Sequence, residues 1–206
     1  MEKELQFYSD LFMEQFPTMN ASAKEYTRSI LTLKKHHKKE VLYQSGEVQN
    51  EIAYVCQGLL RKYYISEKGV KVNVGFSIER QYATDYPSFI KQKPSKYYIE
   101  CLEPSIIITM TYDKLQEAYR RYKDSEMYGR LTAEMVLTRE TDRVESFLFE
   151  NAEERYLNFI SANKDLMNRI SLSHLASYLG IERQSLTRIR GKLAKKNYET
   201  YVSGRK

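Results

Sequence analysis

Short apolar runs separated by turn-forming residues dominate the first half of the chain. Residues 40–45, 52–56, 59–65 and 70–74 are each rich in β-branched or aromatic side chains, and the intervals hold Gly46-Glu47, Gly58 and Ser66-Glu67-Lys68-Gly69. Such runs, bounded by glycine-containing turns, predict strands joined as hairpins. Two more, 97–102 and 105–110, flank Glu103-Pro104. Together they predict an antiparallel roll or sandwich. From about residue 112 to residue 150 the spacing changes: the stretch has no proline, one glycine (Gly129) and apolar residues at helical intervals. Leu131, Met135 and Thr138, with Asp142 beside them, share one side of the predicted helix, whereas Leu137, Val144 and Leu148 share another. Two stripes imply two neighbours. These are either the helix's own β-domain and a partner subunit, or two elements of one chain.

The last quarter reads as a small helical domain. Ser171 suits a helix N-cap, because its hydroxyl can accept an otherwise unpaired backbone N–H. Leu172, Leu175, Ala176 and Leu179 then fall at i, i+3, i+4 and i+7, and Gly180 supplies the left-handed residue that ends the helix. Leu186, Ile189 and Leu193 form a second apolar face, with Gln184, Arg188 and Lys195 opposite. Two short amphipathic helices across a glycine turn predict a helix-turn-helix.

Charge adds a destination. The net +6 is not spread evenly: residues 1–150 hold 22 Lys/Arg and 22 Asp/Glu, while residues 151–206 hold 11 against 5. An excess confined to one terminal domain predicts a polyanionic partner, double-stranded DNA for this motif. Arg183, Gln184 and Arg188 lie on the presenting helix. Arginine can grip guanine, and glutamine adenine, through two hydrogen bonds each, so these three are the expected base contacts. Ser171, Ser173, Ser185, Thr187, Lys192, Lys195 and Lys196 are the expected phosphate contacts, which position without specifying sequence. A phosphate-binding glycine loop, a Ser/His/Asp arrangement and metal-ligand spacing are all missing from the sequence, so no catalytic residue, no metal and no enzymatic activity is expected. His36-His37 sits in a lysine-rich run that reads as a solvated turn. The two cysteines, Cys56 and Cys101, are too few for a disulfide framework, and the N-terminus lacks a secretory pattern. With a hydrophobic share of 42% and no run near the ~20 residues of a membrane span, a cytoplasmic globular protein without a membrane partner is expected.

The order of these pieces resembles the Crp/Fnr family of bacterial transcription regulators. The resemblance covers about residues 35–197 and rests on Ser45-Gly46-Glu47, on Tyr54-Val55-Cys56-Gln57-Gly58-Leu59, on Glu67-Lys68-Gly69 and on the helix-turn-helix. It implies an α+β fold: an N-terminal antiparallel β-roll of the cyclic-nucleotide-binding jelly-roll type with an N-terminal helix (1–112), a long dimerisation helix (113–150) and a C-terminal winged-helix domain (151–206). The tail after residue 196 leaves room for only a short wing. The implied function is a homodimeric regulator on an inverted-repeat site, with RNA polymerase as a further partner. The alternative is a ligand-sensing or protein-interaction module whose helical domain no longer reads DNA.

One departure bears on the effector. Cyclic-AMP-responsive members carry a Gly-Glu pair for the ribose and an Arg-Ser pair for the cyclic phosphate. Here Ala83-Thr84-Asp85 stands near the first, and Pro94-Ser95 replaces the second. A buried phosphate without its cation is poorly compensated, so cyclic AMP is not expected. No cofactor is assigned; an unidentified small molecule, or no effector at all, fits better. Any effector pocket is expected around Thr84, Asp85, Ser95, Lys96 and Tyr97.

Overall fold

A computed structural model of the chain describes the backbone of residues 2–203 and the side chains of residues 3–195. The chain divides into two compact units, residues 1–141 and 142–206. The first unit opens with α1 (Glu2–Met13) and α2 (Ala21–Ser29). Seven strands follow: β1 (Thr32–His36), β2 (Val41–Tyr43), β3 (Glu51–Gln57), β4 (Leu60–Ile65), β5 (Lys71–Ser77), β6 (Tyr98–Cys101) and β7 (Ser105–Thr111). A short helix, α3 (Tyr86–Lys91), lies between β5 and β6, and α4 (Tyr112–Arg121) leads into α5 (Lys123–Phe149).

The strands form two antiparallel sheets, ordered β1-β7-β3 and β2-β6-β4-β5. The apolar run of β3 lacks alternation because both of its faces are buried. Ile52, Tyr54 and Cys56 join Phe12, Phe16 and Ile108 in a core shared with the helices, and Val55 joins Leu60, Ile99 and Cys101 in a second core between the sheets. The expected roll is therefore present, but of the expected hairpins only β4–β5 forms: β2 and β3, β3 and β4, and β6 and β7 each pass from one sheet to the other, and β5 and β6 do not pair. Ser66 and Gly69 close the β4–β5 turn, with the Ser66 N–H donating to the Val70 carbonyl at 2.9 Å.

Two further expectations are corrected. The lysine-rich run is only half a turn. Lys34, Lys35 and His36 belong to β1, an edge strand paired with β7 from Thr32↔Thr109 to His36↔Ser105. Lysines on a sheet edge discourage pairing with other chains, which is why this strand does not look apolar. The stretch 113–150 is not one helix either. The backbone turns extended at Tyr122 (φ −132°, ψ 116°). No proline or glycine marks the break. Contacts from outside the helix hold both sides of it: α4 buries Ala118, and Asp124, just past the break, accepts both the backbone and side-chain N–H groups of Asn20 at 2.7 Å.

In the second unit the last turns of α5 are followed by α6 (Ala152–Ala162), a 3-10 turn (Lys164–Leu166), α7 (Leu172–Leu179) and α8 (Arg183–Ser203). Tyr156, Phe159, Leu166, Leu175, Ala176, Leu179 and Leu186 are buried. Among the described residues no strand follows α8. The backbone of residues 197–203, where a short wing was expected, continues that helix, and residues 204–206 lie outside the description. No helix among the described residues is long and apolar enough to cross a membrane.

Candidate nucleic-acid interface

The α7–turn–α8 unit is built from local rules. Ser171 Oγ accepts the His174 N–H at 3.1 Å and caps α7. Gly180 adopts φ +70°, and the Ile181 N–H returns to the Ala176 carbonyl at 3.0 Å. One face of each helix is then locked: Leu175, Ala176 and Leu179 from α7 meet Leu186 from α8, and each is at most 2% exposed. Ile189 and Leu193 continue the α8 face, half-buried. With that face committed, Arg183 and Gln184 in the first turn of α8, and Arg188 in the second, face solvent.

The expected phosphate contacts fare unequally. Ser171, Ser173, Thr187 and Lys195 are exposed, and Ser185 is half-buried. The Thr187 hydroxyl is engaged within the helix, donating to the Arg183 carbonyl at 3.1 Å. Lys192 is exposed but its ammonium pairs with Glu153 of α6 at 2.8 Å. The Lys196 side chain lies outside the described residues.

Sequence reasoning missed the residues that hold the turn. The Arg143 guanidinium stacks 3.7 Å over the Tyr178 ring and donates to the Tyr178 carbonyl. Arg155 donates to the Leu179 carbonyl at 3.1 Å, satisfying an orphan acceptor at the end of α7. A Cβ at Gly180 would come within 2.6 Å of the Phe147 ring, so this glycine is required for space as well as for its backbone angle. Partners 24 to 35 positions away leave no local pattern to find.

The loop expected to hold an effector is internally satisfied. Asp85 and Ser95 are buried, and the Ser95 hydroxyl donates to the Asp85 carboxylate at 2.7 Å. The Asp85 N–H is held by the Gln49 side chain at 2.8 Å, and Thr84 Oγ1 accepts the Ala53 N–H at 3.2 Å. The Tyr97 N–H donates to Ser95 Oγ at 3.0 Å, and Lys96 is exposed. The structure thus brings Asp85, Ser95 and Tyr97 together, with Thr84 turned to β3 and Lys96 to solvent.

This architecture is shared with known proteins. FixK2 from Bradyrhizobium japonicum superposes with a TM-score of 0.72 at 15% identity, covering 82% of this chain and 86% of that one. A structure from Eubacterium rectale, assigned to the Crp/Fnr family of transcriptional regulators, superposes at 0.66 with 14% identity, covering 86% and 85%. The chain has the Crp/Fnr fold. In sequence it is 22% identical over 191 residues to the anaerobic regulatory protein of Pasteurella multocida (strain Pm70), which is 86% of this chain and 69% of that protein. No family model matches. The relatives whose names state a role are regulators, not enzymes. Within the Crp/Fnr fold, this chain's roll carries the Asp85–Ser95 hydrogen bond at the position where Pro94-Ser95 replaces the Arg-Ser pair that the resemblance implies for cyclic-AMP-responsive members.

Proposed function

We propose that this chain is a homodimeric, sequence-specific DNA-binding transcription regulator that works in the cytoplasm without cyclic AMP. The observation that carries the reading is the division of α8: Leu186 is fully buried against α7, while Gln184 and Arg188 stand exposed on the opposite side and Arg183 is exposed in the first turn. A helix presented in this way enters the major groove with its N-terminal residues at the base edges.

The dimer contact proposed is the face of α5 that carries Leu131, Met135, Thr138 and Asp142. All four are exposed, and Leu131 and Met135 are large apolar groups that a monomer leaves in water. Two-fold pairing of such helices gives an inverted-repeat site with half-sites about one DNA turn apart. RNA polymerase is the partner proposed downstream.

The argument against cyclic AMP is electrostatic. A cyclic phosphate on Ser95 would have to displace the Asp85 carboxylate, a like charge held in a buried site. Arg188→Ala tests the whole reading in gel shifts. It is expected to weaken binding to the selected site by about 5- to 150-fold, the worth of one bidentate base contact, with a much smaller loss on random DNA. Equal losses on both remove Arg188 from base readout. Selection from genomic fragments that enriches no motif leaves the ligand-sensing module as the reading.

A further inference from the structure

The first unit contains a cavity that the proposed DNA reading does not use. Its apolar walls include Phe12, Met19, Ile30, Ile52 and Met110, and it reaches Ser125, Tyr128 and Thr132 on the first turns of α5. The space open to the centre of a water molecule is about 50 Å³. At ~10–15 Å³ per water in that measure, it holds at most about three to five waters, or ~90–150 Å³ of liquid. That is the size of one aromatic ring. No charged side chain lines the cavity, so nucleotides, phosphates and carboxylates would be desolvated there without a counter-charge.

A second, independent observation points to an occupant. Ser125 is 5% exposed, lines the cavity, and its Oγ has no hydrogen-bond partner. A helical serine commonly bonds the carbonyl four residues back, but here that residue is Arg121, the end of α4 on the far side of the break at Tyr122. A buried hydroxyl left without a partner is costly, and such groups are rare.

The wall nearby is shaped for close approach. A Cβ on Gly129 would lie 2.5 Å from the Tyr119 ring, so glycine there lets that ring, itself part of the wall, lie directly against α5. The Tyr128 hydroxyl is engaged elsewhere, with Thr18 Oγ1 at 2.7 Å, and does not compete for the site.

We propose that this cavity binds a small uncharged aromatic molecule with one hydrogen-bond acceptor, anchored by Ser125 Oγ. Because four lining residues belong to α5 (Ser125, Tyr128, Gly129 and Thr132) and others to β3, β7 and the N-terminal helices, the occupant would tie the start of α5 to the roll. The proposal stands whether or not α8 reads DNA.

Calorimetry and thermal unfolding of the full chain, titrated with phenol and in parallel with benzene, test it. Phenol is expected to bind saturably at one site per chain and to raise Tm. Ser125→Ala is expected to leave the unliganded Tm unchanged or higher, since no hydrogen bond is lost. It should weaken phenol by about 2- to 10-fold, the usual net worth of one hydrogen bond, and leave benzene alone. Thr132→Phe, at a half-buried rim position, should exclude both. The proposal is overturned by any of three results: no saturable binding of either probe, a lower unliganded Tm in Ser125→Ala, or phenol binding that neither variant moves. No DNA enters these measurements, so their failure is separate from failure of the DNA reading.

Discussion

At Gly180 a backbone requirement and a packing requirement coincide. The residue sits at φ +70°, where an L side chain is strained, and the Phe147 ring occupies the space a Cβ would need. Gly180→Ala is expected to lower unfolding free energy by about 1–3 kcal/mol, measured in urea. Phe147→Ala in the same chain should return part of the loss, because Phe147 is itself partly exposed and can be spared. The two thiols give a second prediction. Burial pushes the Cys56 thiol up to about 12 and the Cys101 thiol up to about 11. Both are neutral at pH 8 and poor nucleophiles. Iodoacetamide at that pH is expected to leave both unmodified in the native protein and to label both in denaturant, read by mass spectrometry; fast native labelling of Cys101 would revive a redox role for it. The N-cap at Ser171 and the turn at Gly180 were legible beforehand, since both are set by neighbours within about four residues. The pressure from Phe147 and the grip of Arg155 on the Leu179 carbonyl were not, because those partners arrive through folding.

Among the described elements, α5 carries a run of exposed large apolar side chains, including Leu131, Met135, Leu137, Val144 and Leu148. Met135 is 53% exposed, so Met135→Glu should cost the isolated fold little while placing charges against each other across a dimer seam. Sedimentation is expected to show dimer for the parent chain and monomer for the variant. Strands β4 and β6 carry a different kind of contact. Arg61 and Glu100 are directly paired across the ladder and bonded at 2.9 Å in a buried setting. Burial works against the Glu100 carboxylate, but Arg61 and Lys71 outweigh it and hold its pKa below the ordinary value. Its stabilisation is therefore complete above the unfolded-state pKa and is lost as pH falls through the lower folded-state value. Glu100→Gln is expected to cost about 3–5 kcal/mol at neutral pH by stranding Arg61 and to flatten the acid limb of the stability curve. At this scale strands β3 to β7, the β4–β5 hairpin and the pair α7–α8 were readable from periodicity, whereas the crossing of consecutive strands between two sheets was not. Strand β1 and the break at Tyr122 were not. The first is an edge strand written in lysines, and the second lies beside a contact from a distant segment, the bond between Asn20 and Asp124.

For the molecule as a whole, the decisive property is where its charge lies. The excess of positive charge is confined to residues 151–206. Affinity for DNA is expected to fall linearly on a log–log plot against salt. Lys195→Ala should reduce that slope by about 0.9 per protomer if its ammonium holds a phosphate. An unchanged slope would move Lys195 off the interface. Not every cation contributes equally: Lys192 is paired with Glu153, and Arg155 is turned inward to the chain's own carbonyls. The amino-acid sequence by itself determined the architecture of a β-roll followed by a helix-turn-helix, and the charged face of α8. Turns, caps and amphipathic spacing depend on residues a few positions apart. Only the tertiary structure decided that Asp85 occupies Ser95, that the predicted long helix divides, and that Ser125 faces an apolar cavity without a partner. Each of these is a meeting of groups from separate elements, and no local spacing encodes which distant groups the fold will bring within bonding distance.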